Sequence, residues 1–117
     1  MAPLIIKFNK MSITKQIRPE NWIERVSFFT DDNRGRLVSL TVCNSETLIE
    51  EIPLMGINYS SQFKGYDMVI SVGVDCMKLN HIINAPLELW ETQNESGDVT
   101  SMEIIDYYNN EYILTFC

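Results

Sequence analysis

The stretch LELWETQNESGDVTSMEIIDYYNNEYILTF, residues 87–116, decides the fold. Glu95-Ser96-Gly97-Asp98 and Asn109-Asn110 are turn-formers, because Asn, Asp and Gly tolerate the backbone angles of tight hairpins. They separate three short runs of apolar and β-type residues, 87–92, 99–106 and 111–116. Three such runs joined by two tight turns predict a three-stranded antiparallel meander.

Upstream, residues 68–74 alternate Met68, Ile70, Val72 and Val74 with Val69, Ser71 and Gly73, a two-residue period in which either face is apolar enough to be covered. Residues 81–84 form a further short run, and Pro86 marks its join to the meander. Residues 47–52 and 56–60 are two shorter strands with Pro53 between them, where the missing amide hydrogen predicts a bend or an edge. Residues 36–43 alternate Val38, Leu40 and Val42 with Ser39 and Thr41, a strand with one dry and one wet face. Only residues 19–30 read as a helix. Trp22, Ile23, Val26 and Phe29 recur at helical spacing, Pro19 suits a first turn, and Asp31-Asp32-Asn33-Arg34-Gly35 ends the pattern. The predicted class is α+β: one N-terminal helix, then six to eight short, mainly antiparallel strands in a curled sheet or small barrel.

With 117 residues, 45% apolar and 21% charged, the chain suits one ordinary domain with a single core. Residues 1–10 read as a basic arm outside that core, with Met11 as a second plausible start, and residues 11–117 as the domain. Residues 1–18 hold Lys7, Lys10, Lys15 and Arg18 with no acid, so the remainder sets five bases against all 16 acids. No Lys or Arg follows Lys78, and so acidic a surface repels a phosphate backbone, which disfavours nucleic acid. No apolar run approaches a membrane span or a secretory signal. Cys43, Cys76 and Cys117 are odd in number and widely spaced, which fits a reducing cytoplasm better than a disulfide framework.

Trp22, Phe28-Phe29, the run Arg34-Gly35-Arg36-Leu37-Val38-Ser39-Leu40-Thr41-Val42 and Ile52-Pro53-Leu54-Met55-Gly56-Ile57 together resemble a family of small bacterial domains of unknown function. The resemblance spans residues 18–117. It implies a fold and a bacterial origin, and supplies no catalytic or binding position.

Candidate chemistry is sparse. His81 with Cys76 is the one conceivable nucleophile pair, yet Cys76 stands beside Val74 and Met77 at a strand end, which favours a structural role. One histidine and three scattered cysteines give no zinc spacing, and no calcium loop appears, so neither metal nor cofactor is expected. Glu50 and Glu51, or Glu88 and Glu91, adjoin in strands without a marked cleft and read as solvated acids. Tyr59, Phe63 and Tyr66 fall in the loop-like residues 58–67 among Ser, Gln, Lys and Gly, the composition of an exposed aromatic patch. The chain therefore reads as a non-enzymatic accessory domain binding a protein partner through Tyr59, Phe63 and Tyr66. A small-ligand site in the curled sheet is the alternative. Residues 112–116, with one acid (Glu111) beside them and no base, read as an open sheet edge suited to a homodimer.

Overall fold

The computed structural model describes residues 12–43, 45–60, 67–74 and 76–117. Eight strands and one helix follow in the order β1 (Ile13–Ile17), α1 (Trp22–Asn33, entered through a 3-10 turn at Pro19–Asn21), β2 (Leu37–Val42), β3 (Glu46–Ser60), β4 (Asp67–Val74), β5 (Met77–Ile83), β6 (Pro86–Gln93), β7 (Val99–Asp106) and β8 (Glu111–Phe116). All pairings are antiparallel, and the strands form one sheet ordered β1-β6-β7-β8-β2-β3-β4-β5.

The C-terminal meander is present as read, with Met102 opposite both Glu91 and Leu114. Its turns are fixed by side chains. The Asn94 Oδ1 accepts from the amides of Ser96 and Asp98, and the Asp106 carboxylate accepts from Tyr108 N, Asn110 N and Asn110 Nδ2 at 2.9–3.0 Å. The expected edge at residues 112–116 is corrected: β8 pairs on both flanks, Leu114 lying opposite Met102 of β7 and Leu40 of β2. Among the described residues the open edges are β1 and β5 instead.

Two further corrections concern the helix and closure. A strand precedes the helix, because Ile17 has a buried place on the sheet although its neighbours Lys15, Gln16 and Arg18 are polar. The eight strands do not close into a barrel, since β1 and β5 each have one partner. The sheet nevertheless curls strongly: His81 of β5 packs against Tyr112 of β8, ring centres 5.6 Å apart, across four steps of strand order.

Pro53 does not split β3. The strand runs 15 residues, pairing with β2 through Glu46–Pro53 and with β4 through Leu54–Ser60. The irregularity predicted at Pro53 is spread around it, as the positive φ of Glu51 (51°) and a register shift between Leu54 and Gly56. Such bulges sharpen the local twist and let one strand serve both wings of a curled sheet.

Trp22, Val26, Phe29, Thr30 and Asn33 form the buried face of α1, a spacing near 3.6, while Ile23 is exposed. The face lies on β3. Thr30 Oγ1 accepts from Ile57 N at 2.9 Å and donates to Ile57 O at 3.3 Å, and a Cβ on Gly56 would stand 3.2 Å from Thr30 Cγ2. At the other end Trp22 Nε1 donates to Ile17 O at 2.8 Å, joining the helix to β1. Beneath, Val38, Leu40, Leu54, Met68, Ile70, Val72, Ile83, Leu89, Met102, Ile104 and Leu114 are fully buried on the inner face of the sheet. Each contributes about 1.5–3 kcal/mol against the cost of ordering the chain. The hollow of the curl is thus filled with side chains.

Candidate docking site

β4 and β5 pair over seven consecutive positions without a bulge, from Met68↔Ile83 to Val74↔Met77. Their inner-face residues alternate as strands require: Ile83, His81, Leu79 and Met77 on β5 beside Met68, Ile70, Val72 and Val74 on β4. The row is buried where it meets the core and emerges toward the turn. Val74, Met77 and Leu79 are 54%, 72% and 50% exposed, and Ile82 on the opposite face is 53% exposed. Val74, Met77 and Leu79, with Ile52, Pro53 and Val72, border an open groove of about 590 Å³ whose one charged neighbour among the described residues is Lys78.

Gly73 holds the hairpin in shape. Its φ of +127° lies where side chains are disfavoured, and a Cβ there would stand 1.9 Å from Met77 O. Only glycine lets the two strands approach so closely. The groove lies beside β5, whose outward backbone donors and acceptors have no strand to meet among the described residues. Apolar side chains next to an open ladder are what a strand-adding partner requires: the ladder binds the backbone, and the groove takes alternate side chains.

The residues singled out from sequence are not gathered here. Tyr59, next to last in β3, is half-buried, its ring edge-on to Trp22 at 5.2 Å, so it belongs to the packing of the helix and not to an exposed loop. Phe63 and Tyr66 lie outside the described residues. Cys76 is exposed in the turn and His81 is half-buried five residues along the strand, about 16 Å away by strand rise. They form no pair. His81 Nε2 has no hydrogen-bond partner among the described residues, and burial lowers the histidine's pKa. Among the described residues no group of three or more His, Cys, Asp or Glu side chains could hold a metal ion. No helix there is long and apolar enough to cross a membrane.

The acids divide unexpectedly. Glu88 and Trp90 share the outer face, where the indole Nε1 donates to Glu88 Oε1 at 2.9 Å. Glu91 turns inward and is fully buried, against the reading of a solvated acid. It accepts from Arg25 Nη2 at 2.6 Å and Gln93 Nε2 at 3.1 Å, while its Oε2 and Arg25 Nε have no partner among the described residues. A second cavity of about 440 Å³, between β1 and α1, is lined by Lys15, Arg18 and Arg25. Arg25 is held by Glu91 and Arg18 lies 3.7 Å from Glu20, so two of these three bases are answered from within the chain.

On the outer face Glu103 has its pKa raised, first by burial, then by the hydrogen bond and charge of Glu111 and the charge of Glu88. The folded state therefore holds this proton to higher pH than the unfolded chain. The stability so gained is present at and below a pH of about 4.5 and is lost as pH rises through the folded-state pKa. Glu103→Gln should raise the melting temperature at pH 7 and leave it nearly unchanged at pH 4. His81 acts in the opposite sense: its lowered pKa costs stability as pH falls below about 6.5. A melting series from pH 4 to 8 in which Glu103→Gln and wild type run parallel would contradict the assignment to Glu103.

Comparison with known proteins adds no function. No protein-family model matches the chain, no curated protein is significantly similar to it, and no solved structure matches it.

Proposed function

We propose that the chain is a non-enzymatic protein-interaction domain whose working surface is the β4–β5 groove. The observation that carries this reading is the exposure of Val74, Met77 and Leu79 together beside an unpaired strand edge. A soluble domain scatters single apolar residues over its surface, whereas a contiguous apolar patch next to open backbone groups marks a binding site. The partner is a protein segment of extended conformation with apolar side chains at alternate positions. The three exposed thiols, Cys43, Cys76 and Cys117, suit a reducing cytoplasm, which we propose as its compartment, and the likeness to small bacterial domains supports a bacterial origin.

A small apolar ligand is the second reading, since the groove falls within the usual range of ligand pockets. It is less favoured because Lys78 is the one charged group lining it among the described residues, and specific ligand sites hold several converging polar groups. The hollow of the sheet offers no space, being filled by the core.

Native affinity purification of the tagged full-length chain should recover a partner in fixed stoichiometry. Met77→Glu with Leu79→Glu should abolish recovery and change stability by less than about 0.5 kcal/mol each, since both side chains face water. Recovery unaltered by the two glutamates would remove the groove from the interface. A metabolite that raises the melting temperature of wild type and not of the variant would favour the ligand reading.

A further inference from the structure

We infer that β5 pairs with β5 of a second copy of this chain, antiparallel and in a single register centred on Asn80, setting two grooves side by side. The inference rests on reading the β4–β5 hairpin as a docking surface and names the occupant of its edge. Four features point to a second copy.

The first is the edge itself. Open edges are ordinarily blunted by charge, proline, bulges or shortness. The β1 edge is five residues long and carries Lys15, whereas β5 is seven residues long and regular, with no proline, no acid and one base, Lys78. The second is self-complementarity. A two-fold axis through Asn80 sets Met77 opposite Ile83 of the second copy, Lys78 opposite Ile82, Leu79 opposite His81, and Asn80 opposite Asn80. Every residue of β5 is then used, and shifting the register either way shortens the ladder.

The third is charge. In this register the two Lys78 positions lie four residues apart, about 14 Å at ordinary strand rise, beyond the roughly 8 Å screening length of physiological salt. A register centred on Lys78 would set the two ammonium groups directly opposite and leave three residues paired. With no acid on either strand, the negative charge of the body does not enter the contact. The fourth is coverage. Ile82, 53% exposed on the outer face, comes to lie under the aliphatic stem of Lys78 from the other copy. Val74, Met77 and Leu79 of both copies then share one continuous inner face, a bivalent platform on which the partner proposed above docks by its side chains in the grooves, the β5 ladder itself being taken by the second copy.

Light scattering on the full chain at micromolar concentration should give a mass near twice its 13.6 kDa. Asn80→Lys places two ammonium groups across the axis at cross-strand distance and should halve the mass. Asn80 is exposed and its side-chain bond, from Ser71 Oγ at 2.7 Å, is an exposed one, so the variant should keep the wild-type circular dichroism. Register is tested separately in a chain with Cys43→Ser, Cys76→Ser and Cys117→Ser. There, diamide oxidation should crosslink Asn80→Cys into a disulfide dimer and leave Lys78→Cys monomeric.

A wild-type monomer, or a dimer insensitive to Asn80→Lys, would overturn the inference. Crosslinking through Lys78→Cys in preference to Asn80→Cys would overturn the register. A monomer whose capture of partner still depends on Met77 and Leu79 would sink the dimer and leave the groove standing. A dimer whose capture ignores those residues would do the reverse.

Discussion

Arg25→Ala should cost about 3–5 kcal/mol of folding stability. The Arg25 side chain is one-third exposed, but the carboxylate it serves is fully buried on the inner face of β6, 66 residues away in sequence. Removing the guanidinium leaves Gln93 Nε2 as the remaining donor to a group already short of one partner. Breaking a buried pair from one side is costly because the other charge stays desolvated, while replacing both partners by apolar groups is often neutral. Arg25→Leu combined with Glu91→Leu should therefore recover most of the loss. Urea unfolding of the single and double variants measures both terms. A loss under about 1 kcal/mol for Arg25→Ala would show that Glu91 finds water or another donor.

Gly73→Ala should detach the edge of the sheet. The backbone conformation at φ +127° alone costs an alanine on the order of 1–3 kcal/mol, and its methyl would meet Met77 O at 1.9 Å. That clash is with backbone, so no rotamer relieves it. Because within the chain β5 is held by β4 alone among the described strands, release of the hairpin is less costly than unfolding the core. Amides of residues 77–83 should exchange freely with deuterium while those of β6, β7 and β8 stay protected, and capture of partner should be lost. Gly97→Ala is the control: its φ is also positive, at +89°, but nothing lies within 4 Å of the added methyl, so the penalty should be the conformational one of about 1–2 kcal/mol. Equal effects at the two glycines would mean that β5 does not pack as closely on β4 as described.

The sheet was legible where local pattern and turn chemistry agree. Residues 87–116 gave the meander because Gly97, Asn109 and Asn110 sit where hairpins need them, and residues 19–30 gave the helix because Trp22, Val26 and Phe29 keep its period. Strand order was not legible. The pairing of β8 with β2 joins residues about 75 positions apart, and no local feature of residues 112–116 distinguishes a strand paired once from one paired twice. β1 was missed because two isoleucines among Lys15, Gln16 and Thr14 give too little alternation to read. Glu91 has the composition of its solvated neighbours, and its partner Arg25 lies on the helix, so burial of that acid is a tertiary fact.

The candidate site was missed for a nearer reason. Met77, Leu79, His81 and Ile83 do alternate with Lys78, Asn80 and Ile82, yet Cys76 and Lys78 give the start of the run a polar composition, and the aromatic residues lie elsewhere. Tyr59, the one of those aromatics that is described, packs on Trp22. A rule of alternation applied without regard to residue size would have found β5. Nothing in the sequence could have shown that its turnward half would be left uncovered, because exposure depends on where α1 lands, and α1 lands on β3 through Thr30 and Ile57.

Site-specific photocrosslinking tests the claim of a docking groove most directly. A benzophenone amino acid placed at position 79 of the full-length chain, irradiated in cell extract, should give discrete adducts at higher mass, distinct from the doubled chain mass of a self-adduct. The same probe at position 96, in the turn between β6 and β7 on the other wing of the sheet, should give none. Identical adducts from both positions, or none from position 79, would contradict the assignment of the β4–β5 groove as the surface on which this protein works.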